Sequence, residues 1–364
     1  MIVKRTAKEA VFFVSSYSAY KYCLDLVYFH KMKKSHPALF IIFISIFFSC
    51  VENDSDKMFT LLSSKTTGIK FKNILKETEE FNVLEYGYLY NGGGVSIGDV
   101  NNDDLPDIYF TGNMVGSHLY INQGNFKFKE QAKEAGVFAE GLWNTGVTMA
   151  DVNADGLLDI YVCRSAAQNP TKRKNLLFIN NGDVTFTEKA DEYGIADTGY
   201  STQGSFFDYD RDGDLDLYVL NHSTQEYAGF GQITASLKNR KNKDYSDKLY
   251  RNDNGKYKDV SEEAGLVSNV LGFGLGIAVS DLNNDGWLDI YVSNDYNEQD
   301  YLYVNNQDGS FTESLEKFIG HTSLFSMGSD IADINNDGFT DIMTLDMLPE
   351  GNDRQKMVSG PDNY

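Results

Sequence analysis

Five short loops carry the side chains of this chain that are best suited to metal chemistry. Each loop is nine residues long and places a carboxylate or amide oxygen at positions 1, 3, 5 and 9. Position 6 is glycine in four loops and Asp104 in the first. The candidate ligands, loop by loop, are Asp99, Asn101, Asp103 and Asp107; Asp151, Asn153, Asp155 and Asp159; Asp208, Asp210, Asp212 and Asp216; Asp281, Asn283, Asp285 and Asp289; and Asp333, Asn335, Asp337 and Asp341.

This spacing is suited to calcium, which takes six to eight hard oxygen ligands at about 2.3–2.6 Å. Side chains at positions 1, 3, 5 and 9 and a backbone carbonyl at position 7 would wrap one ion. Glycine at position 6 permits the sharp turn, and Asp104 can adopt the same left-handed conformation less readily. One such loop could equally be a solvated acidic turn. Five copies in register favour calcium, and we predict several structural Ca²⁺ ions.

The residues around the loops distinguish them from an EF-hand. An EF-hand needs a bidentate glutamate at position 12. Position 12 here is instead Phe110, Val162, Val219, Val292 or Thr344. Four of the loops are followed by I-Y-F, I-Y-V or L-Y-V, and segments such as GVSIG and GVTMA precede them. These residues are typical of strands, so each loop is expected to join two strands.

The loops begin 52, 57, 73 and 52 residues apart, and the sequence between them is also regular. Segments such as 119–137 and 176–195 read as a strand, an Asn/Gly hairpin turn and a second strand. Four short strands in each 50–60 residues are typical of a β-propeller blade. We therefore predict an all-β fold, a propeller of four-stranded blades over residues 67–364 with about five repeats visible.

The repeats resemble the FG-GAP or VCBS repeats of integrin α-subunit propellers and of many bacterial surface proteins. Phe273-Gly274 precedes Gly276, and Trp143 and Phe325 stand at the same distance before Gly146 and Gly328. The resemblance covers roughly residues 85–345. It implies calcium loops between the first two strands of each blade, with ligands bound on the opposite face. Residues 90–94, YNGGG, together with the start of the chain, resemble a bacterial subgroup that often adds an ASPIC/UnbV-type C-terminal domain.

The start of the chain resembles a bacterial lipoprotein signal. Lys33 and Lys34 precede an apolar run at 38–48, and Ser49-Cys50 follows it. The run is short for a membrane span, although a transmembrane anchor or a buried strand remain alternatives. We predict that residues 1–31 are an over-called upstream extension, 32–49 a signal peptide and 50–66 a tether. Lipidation of Cys50 would anchor the protein to the outer membrane, exposed at the cell surface.

Charge and motif searches exclude several other functions. The 53 acidic and 32 basic residues give a net charge of −21, which argues against a nucleic-acid partner. Ser96 fits G-x-S-x-G, but a nucleophile elbow needs a following helix, and a predicted calcium loop stands there. His118, His222 and His321 lack zinc-site spacing.

We therefore expect a non-catalytic, calcium-stabilised binding or scaffold module whose ligand is a glycan or a protein. One alternative is a polysaccharide hydrolase or lyase, which would need convergent His, Glu or Arg residues at the loops before strands; the sequence shows no repeated set. Another is a structural spacer for a missing C-terminal domain. The fifth loop, 333–341, is followed by 23 residues, too few for two further strands and a closing strand. We therefore predict an incomplete propeller that belongs to a longer protein.

Overall fold

The computed structural model describes residues 58–224, 235–296, 298–347, 351 and 353. The chain divides into two compact units, Met1–Ser63 and Ser64–Tyr364. All sheets belong to the second unit, and of the first unit only residues 58–63 are described. The predicted signal peptide and Cys50 lie outside the described residues, so they stay predictions. No helix among the described residues is long and apolar enough to cross a membrane.

Four antiparallel sheets of four strands and one of two strands contain the five loops. The first is β1 Val95–Gly98, β2 Asp107–Phe110, β3 His118–Asn122 and β4 Phe128–Glu130; the second is β5 Asn144–Ala150, β6 Asp159–Arg164, β7 Leu176–Asn180 and β8 Phe186–Glu188. The third is β9 Ser201–Phe207, β10 Asp216–Asn221, β11 Lys248–Asn252 and β12 Tyr257–Asp259; the fourth is β13 Gly274–Ser280, β14 Asp289–Asn294, β15 Tyr301–Asn305 and β16 Phe311–Glu313; and the fifth is β17 Ser326–Ala332 and β18 Asp341–Asp346. Neighbours in each sheet are neighbours in sequence, which confirms the predicted all-β, blade-like architecture.

The helices of the described residues are short. They are α1 Ser64–Thr67, α2 Ala190–Tyr193, α3 Ala235–Lys238 and α4 Leu315–Phe318, and a 3₁₀ turn covers Pro170–Lys172. Helices α2 and α4 are single turns that follow the last strand of their blade. The third repeat is longest because an insert that contains α3 lies between β10 and β11.

The second strand is the centre of the core in the blades that have a neighbour on both sides. Strands β6, β10 and β14 are buried along their whole length because a neighbouring blade covers each face. Tyr161 and Cys163 of β6, for example, pack in one cluster with Leu217 and Val219 of β10. The Ile-Tyr-Val-like pattern that follows the loops of the inner blades therefore supplies alternate residues to two interfaces, which explains why it repeats.

Glycines allow the innermost strands to approach one another. A Cβ at Gly146 of β5 would collide with the carbonyl oxygen of Thr202 and lie 2.9 Å from Cα of Gln203, both on β9. A Cβ at Gly276 of β13 would lie 2.8 Å from Cα of Gly328 on β17. The glycine that follows the aromatic residue in these repeats is therefore needed for close packing between blades.

Within the described residues the series of blades is open. The innermost strands β1, β5, β9, β13 and β17 are adjacent in that order. Val95 and Ile97 of β1 are exposed, and so are Met343 and Leu345 of β18. Equivalent positions in the inner blades, such as Tyr161 and Cys163, are buried against the next blade. This agrees with the prediction that five repeats do not form a closed ring.

Candidate metal centres and the hub of the blades

The loops between the first and second strands bring their acidic residues around one turn of backbone. In the second loop, the Asp151 carboxylate accepts hydrogen bonds from the backbone N–H of Asp155 at 3.0 Å and of Gly156 at 2.8 Å. The Asn153 side chain accepts from the Asp155 N–H at 3.1 Å. In the fourth and fifth loops, too, the carboxylate at position 1 accepts from the backbone N–H groups of positions 5 and 6. Positions 1, 3 and 5 therefore converge because each side chain folds back onto the loop.

Two positions of each loop adopt the left-handed conformation. At position 6 the φ angles lie between 64° for Asp104 and 97° for Gly213, as the sequence predicted. Position 4 is also left-handed, which the sequence did not suggest: φ is 62° at Arg211. Position 4 also connects loops, since the Asn102 amide donates to Gly156 O at 3.1 Å and Arg211 lies 5.0 Å from the Trp287 ring centroid.

The third loop has the geometry best suited to hold a metal ion. Carboxylate oxygens of Asp208, Asp210 and Asp216 all lie within 4.8 Å of one another, and among the described residues no other His, Cys, Asp and Glu group reaches this arrangement. Asp208 Oδ1 is buried and has no hydrogen-bond partner. In the second loop the equivalent oxygen accepts from the backbone. An oxygen buried without a donor is costly, and a cation would satisfy it.

Asp212 and Asp214 extend the same loop. Asp212 accepts from the Asp214 N–H at 3.1 Å, and Asp214 Oδ1 is a second buried oxygen without a partner. The third loop thus carries five carboxylates, whereas the second, fourth and fifth carry three each. The donors are hard oxygens, which suit calcium rather than a thiolate-seeking or imidazole-seeking metal.

Position 9 has a structural task besides any metal. Asp159 is fully buried, and its two oxygens accept from the N–H of Val152 at 3.0 Å and of Asn180 at 2.8 Å. These bonds join the loop to the end of the third strand. Asp107, Asp216 and Asp289 make the same pair of bonds. Burial raises the pKa of Asp159 to about 6 and that of Asp216 to about 7, although the backbone donors oppose this shift.

A second set of equivalent residues converges at the opposite end of the second strands. Asn113, Ser165, His222 and Asp295 each stand six residues after the position 9 aspartate of their blade, and all four are buried. We call these four residues the hub set. The chain segment 73–94, which precedes β1, lies against them. The Asn113 amide donates to Gly92 O at 3.0 Å, and the Tyr88 hydroxyl donates to Asp295 Oδ2 at 3.1 Å.

Ser165 and His222 form a hydrogen-bonded pair beneath Tyr86. The Ser165 Oγ lies 2.8 Å from His222 Nε2, and the Tyr86 hydroxyl lies 3.2 Å from Ser165 Oγ. His222 Nδ1 lies 2.8 Å from the backbone oxygen of Ser223, which can only accept, so Nδ1 carries the proton. Burial lowers the pKa of His222 to about 4, and the imidazole is therefore neutral at physiological pH.

The aromatic residues that begin the inner strands hold segment 73–94 in place. Tyr86, Tyr88 and Leu89 form one buried cluster with Trp143 and Phe273. The Tyr86 and Trp143 ring centroids lie 5.6 Å apart, and those of Tyr88 and Phe273 lie 5.9 Å apart, both edge to face. The aromatic residue of the repeat thus binds the segment that covers this face of the blades.

Sequence reasoning missed the hub set and the covering segment. It found no repeated convergent set because Asn, Ser, His and Asp differ in chemistry at the equivalent position. Their common distance from position 9 was the signal that could have identified them. Of the other residues considered, Ser96 lies on β1 and is followed by the first loop rather than a helix, and His118 Nδ1 lies 3.1 Å from Glu130 Oε1.

The described residues also line two open cavities on or near the hub. One, of about 660 Å³, is lined by segment 86–95 and by all five innermost strands. The other, of about 640 Å³, lies between the covering segment and the second and third blades, and is lined by residues such as Phe81, Gln168 and Tyr200. Both fall in the size range of small-molecule sites, about 300–1,000 Å³.

Comparison with known proteins identifies the repeats. The family model of the FG-GAP-like repeat matches residues 99–162, 166–219 and 281–344, which together make half of the chain. Cartilage acidic protein 1 of Mus musculus is 26% identical over 247 residues, covering 66% of this chain and 35% of that protein. Integrin alpha-3 of Mus musculus is 37% identical over 81 residues, covering 19% of this chain and 8% of that protein.

The chain therefore spans about a third or less of the length of these relatives. Among solved structures, the V. cholerae biofilm matrix protein Bap1 aligns with a TM-score of 0.33 and 13% identity over 69% of this chain and 34% of that one. The matched residues contain all five acidic loops and at least the first part of the second strand that follows each of them. The chain belongs to the family of FG-GAP-like repeat proteins.

Proposed function

We propose that this protein is a calcium-stabilised, non-catalytic binding or scaffold module that is displayed outside the cytoplasm through a lipid on Cys50. The observation that carries the metal part is the third loop, where Asp208, Asp210 and Asp216 converge and Asp208 Oδ1 has no partner. Similarity to an integrin α-subunit and to cartilage acidic protein 1 supports a repeat domain used for binding.

Calcium would act on the loops rather than in a reaction. Positions 1, 3, 5 and 9 of each loop would hold the ion, and its charge would offset the repulsion among carboxylates packed into nine residues. The five loops carry 18 carboxylates in total. Position 9 already binds the loop to the third strand, so the ion would complete a turn that the fold has largely formed.

Calcium removal tests this proposal directly. For an extracellular module the dissociation constant is expected near 10⁻⁴–10⁻³ M. At a calcium concentration ten times that constant, one site stabilises the folded state by about 1.4 kcal/mol, since the gain is RT ln(1 + [L]/Kd). We expect a higher melting temperature in calcium than in excess chelator. Melting curves that coincide under the two conditions would refute the metal assignment.

A single substitution sharpens the test. Asp208→Asn keeps an acceptor for the Gly213 N–H, which now lies 3.1 Å from Asp208 Oδ2, but removes the charge at the ion. The variant should lose about 1.4 kcal/mol in calcium and nothing in chelator. Asp183→Asn, an exposed turn residue outside the loops, is the matched control and should behave as wild type in both.

The hub geometry supports a non-catalytic role over the hydrolase or lyase alternative. Ser165 and His222 are each fully buried, and Tyr86 lies against both of them. A substrate could not reach this pair without displacing the covering segment. We expect no reducing ends or unsaturated products when polysaccharides are incubated with the protein, with or without calcium. Turnover that is lost in Ser165→Ala would support the enzyme instead.

A further inference from the structure

The third repeat differs from the others at one position of its innermost strand. Five residues before the first aspartate of the loop, four repeats have glycine: Gly94, Gly146, Gly276 and Gly328. The third repeat has Gln203. Because Gly94, Gly146 and Gly276 let neighbouring inner strands pack closely, a glutamine at this position has no packing advantage of the same kind. At this position of the five inner strands, only Gln203 has a side chain, and its amide lies at the hub.

Gln203 lines the cavity of about 660 Å³ at the hub, together with Thr145, Thr202 and Trp143. Among the described residues that line this cavity there is no Asp, Glu, Lys, Arg or His. That is unexpected in a chain with 53 acidic residues and a net charge of −21. The acidic residues concentrate in the loops at the other end of the second strands, so the cavity is a neutral polar site in an anionic protein.

Several groups around the cavity are available for hydrogen bonds. Within the part of the chain that the structure describes, neither the Gln203 amide nor the Trp143 indole N–H has a hydrogen-bond partner. The Thr145 and Thr202 hydroxyls donate to Ser201 O at 2.7 Å and Gly274 O at 2.8 Å, which leaves their lone pairs free to accept. The site thus offers amide donors and an acceptor, an indole donor and hydroxyl acceptors without any formal charge.

We propose that this cavity binds a neutral saccharide, with the Gln203 amide hydrogen-bonded to sugar hydroxyls; this inference rests on the binding-module function proposed above. A sugar combines hydroxyl donors and acceptors with an apolar C–H face. Tyr90, which lines the cavity and is 62% exposed, supplies aromatic surface there. A purely apolar ligand would leave the amide and the indole N–H unpaired, and an anionic ligand would meet no cation.

Calorimetric titration of the full chain in calcium tests the proposal. The probes are neutral oligomers of glucose, mannose and N-acetylglucosamine, with an oligogalacturonate as the acidic counterpart and a neutral peptide of similar size. The wild type should bind at least one neutral saccharide. Gln203→Gly, which copies the other four repeats, should weaken that binding at least tenfold, and so should Gln203→Glu. Gln123→Glu, on the exposed β3–β4 turn, makes the same charge change away from the cavity and should have no effect.

The outcomes separate this inference from the broader function. If Gln203→Gly binds the saccharide as tightly as the wild type and melts at the same temperature, the assignment of the site to this cavity is wrong. The protein would still be a saccharide-binding module. Binding of the acidic oligomer or the peptide alone would overturn the ligand class. If no probe binds while calcium still raises the melting temperature, the saccharide assignment is wrong and the calcium-stabilised scaffold stands. Loss of the calcium response itself would instead contradict the proposed function.

Discussion

Substituting Gly146 by alanine tests whether the repeat glycine exists for packing between blades. Its φ angle is not positive, so alanine is compatible with the local backbone. The added Cβ would nevertheless collide with the Thr202 carbonyl oxygen and lie 2.9 Å from the Gln203 Cα. Both obstacles are backbone atoms, which cannot rotate away. Overpacking of this kind costs about 1–3 kcal/mol, and we expect the upper end of that range.

The reduced entropy of the unfolded chain partly offsets this cost, by about 0.4–1 kcal/mol for Gly→Ala. The net loss should therefore be about 2 kcal/mol. With an unfolding entropy of about 2.1 cal/mol/K per residue over roughly 300 residues, the melting temperature should fall by about 3 °C. Urea denaturation in saturating calcium would measure it. The change should appear in the midpoint, with the slope unchanged.

Gly328 provides a matched control within the same protein. It occupies the same position of the fifth repeat and also lacks a positive φ, but a Cβ there meets no atom within 4 Å. Gly328→Ala should therefore be neutral or stabilising by up to about 1 kcal/mol. If both variants lose the same stability, the glycine is required for a reason other than contact with the next blade, and the reasoning fails.

Three further predictions follow from individual residues. Burial raises the pKa of Asp247 to about 7, above the value near 4 of an unfolded carboxyl, so its stabilising protonation is complete below about pH 4 and lost as the pH rises through 7. Asp247→Asn places at this position the residue that the second blade has, Asn175. Between pH 4 and 8 the free energy of unfolding of the variant, from urea midpoints, should rise relative to that of the wild type by up to about 4 kcal/mol. A difference that does not change with pH would contradict this. Tyr88→Phe removes the hydroxyl that donates to Asp295 and should cost about 1–3 kcal/mol by thermal melting, whereas Tyr90→Phe, at an exposed ring, should cost less than about 0.5 kcal/mol. Cys50→Ala should yield an unprocessed or released protein by mass spectrometry of membrane fractions, and a wild-type N-terminus elsewhere than Cys50 would argue against lipidation.

The fold could be predicted because its determinants are local and repeated. Each loop, with the strand pair around it, lies within about 25 residues, and the alternation of I-Y-V residues specifies which faces are buried. The left-handed position 6 was predictable from glycine for the same reason. Position 4 was not, because asparagine, alanine and arginine occupy it and share no turn preference.

The hub could not be predicted in the same way because its contacts are remote in sequence. Tyr86 and Ser165 are 79 residues apart, and Tyr88 and Asp295 are 207 residues apart. A segment without strand periodicity gives no sign that it will cross the blades. The structure thus shows that the face opposite the loops, where the family resemblance predicts ligands, is partly covered by the chain itself.

The two ends of the second strand therefore have different roles: one end joins the acidic loop, and the other contacts the covering segment. At the loop end, Asp107, Asp159, Asp216 and Asp289 are buried, and both oxygens of each accept from backbone N–H groups. Positions 1, 3 and 5 are mostly exposed and accept from the N–H groups of their own turn. Loss of a cation should loosen the exposed part of each loop without separating the strands that position 9 joins. At the hub end, the hub set differs from blade to blade because its members meet one asymmetric segment at different groups: Asn113 at Gly92, Ser165 and His222 together at Tyr86, and Asp295 at Tyr88. The five repeats thus keep the same residues in the loops, where five ions of one kind are expected. Their residues differ at the hub, where the blades contact a single segment and line a single cavity beside it.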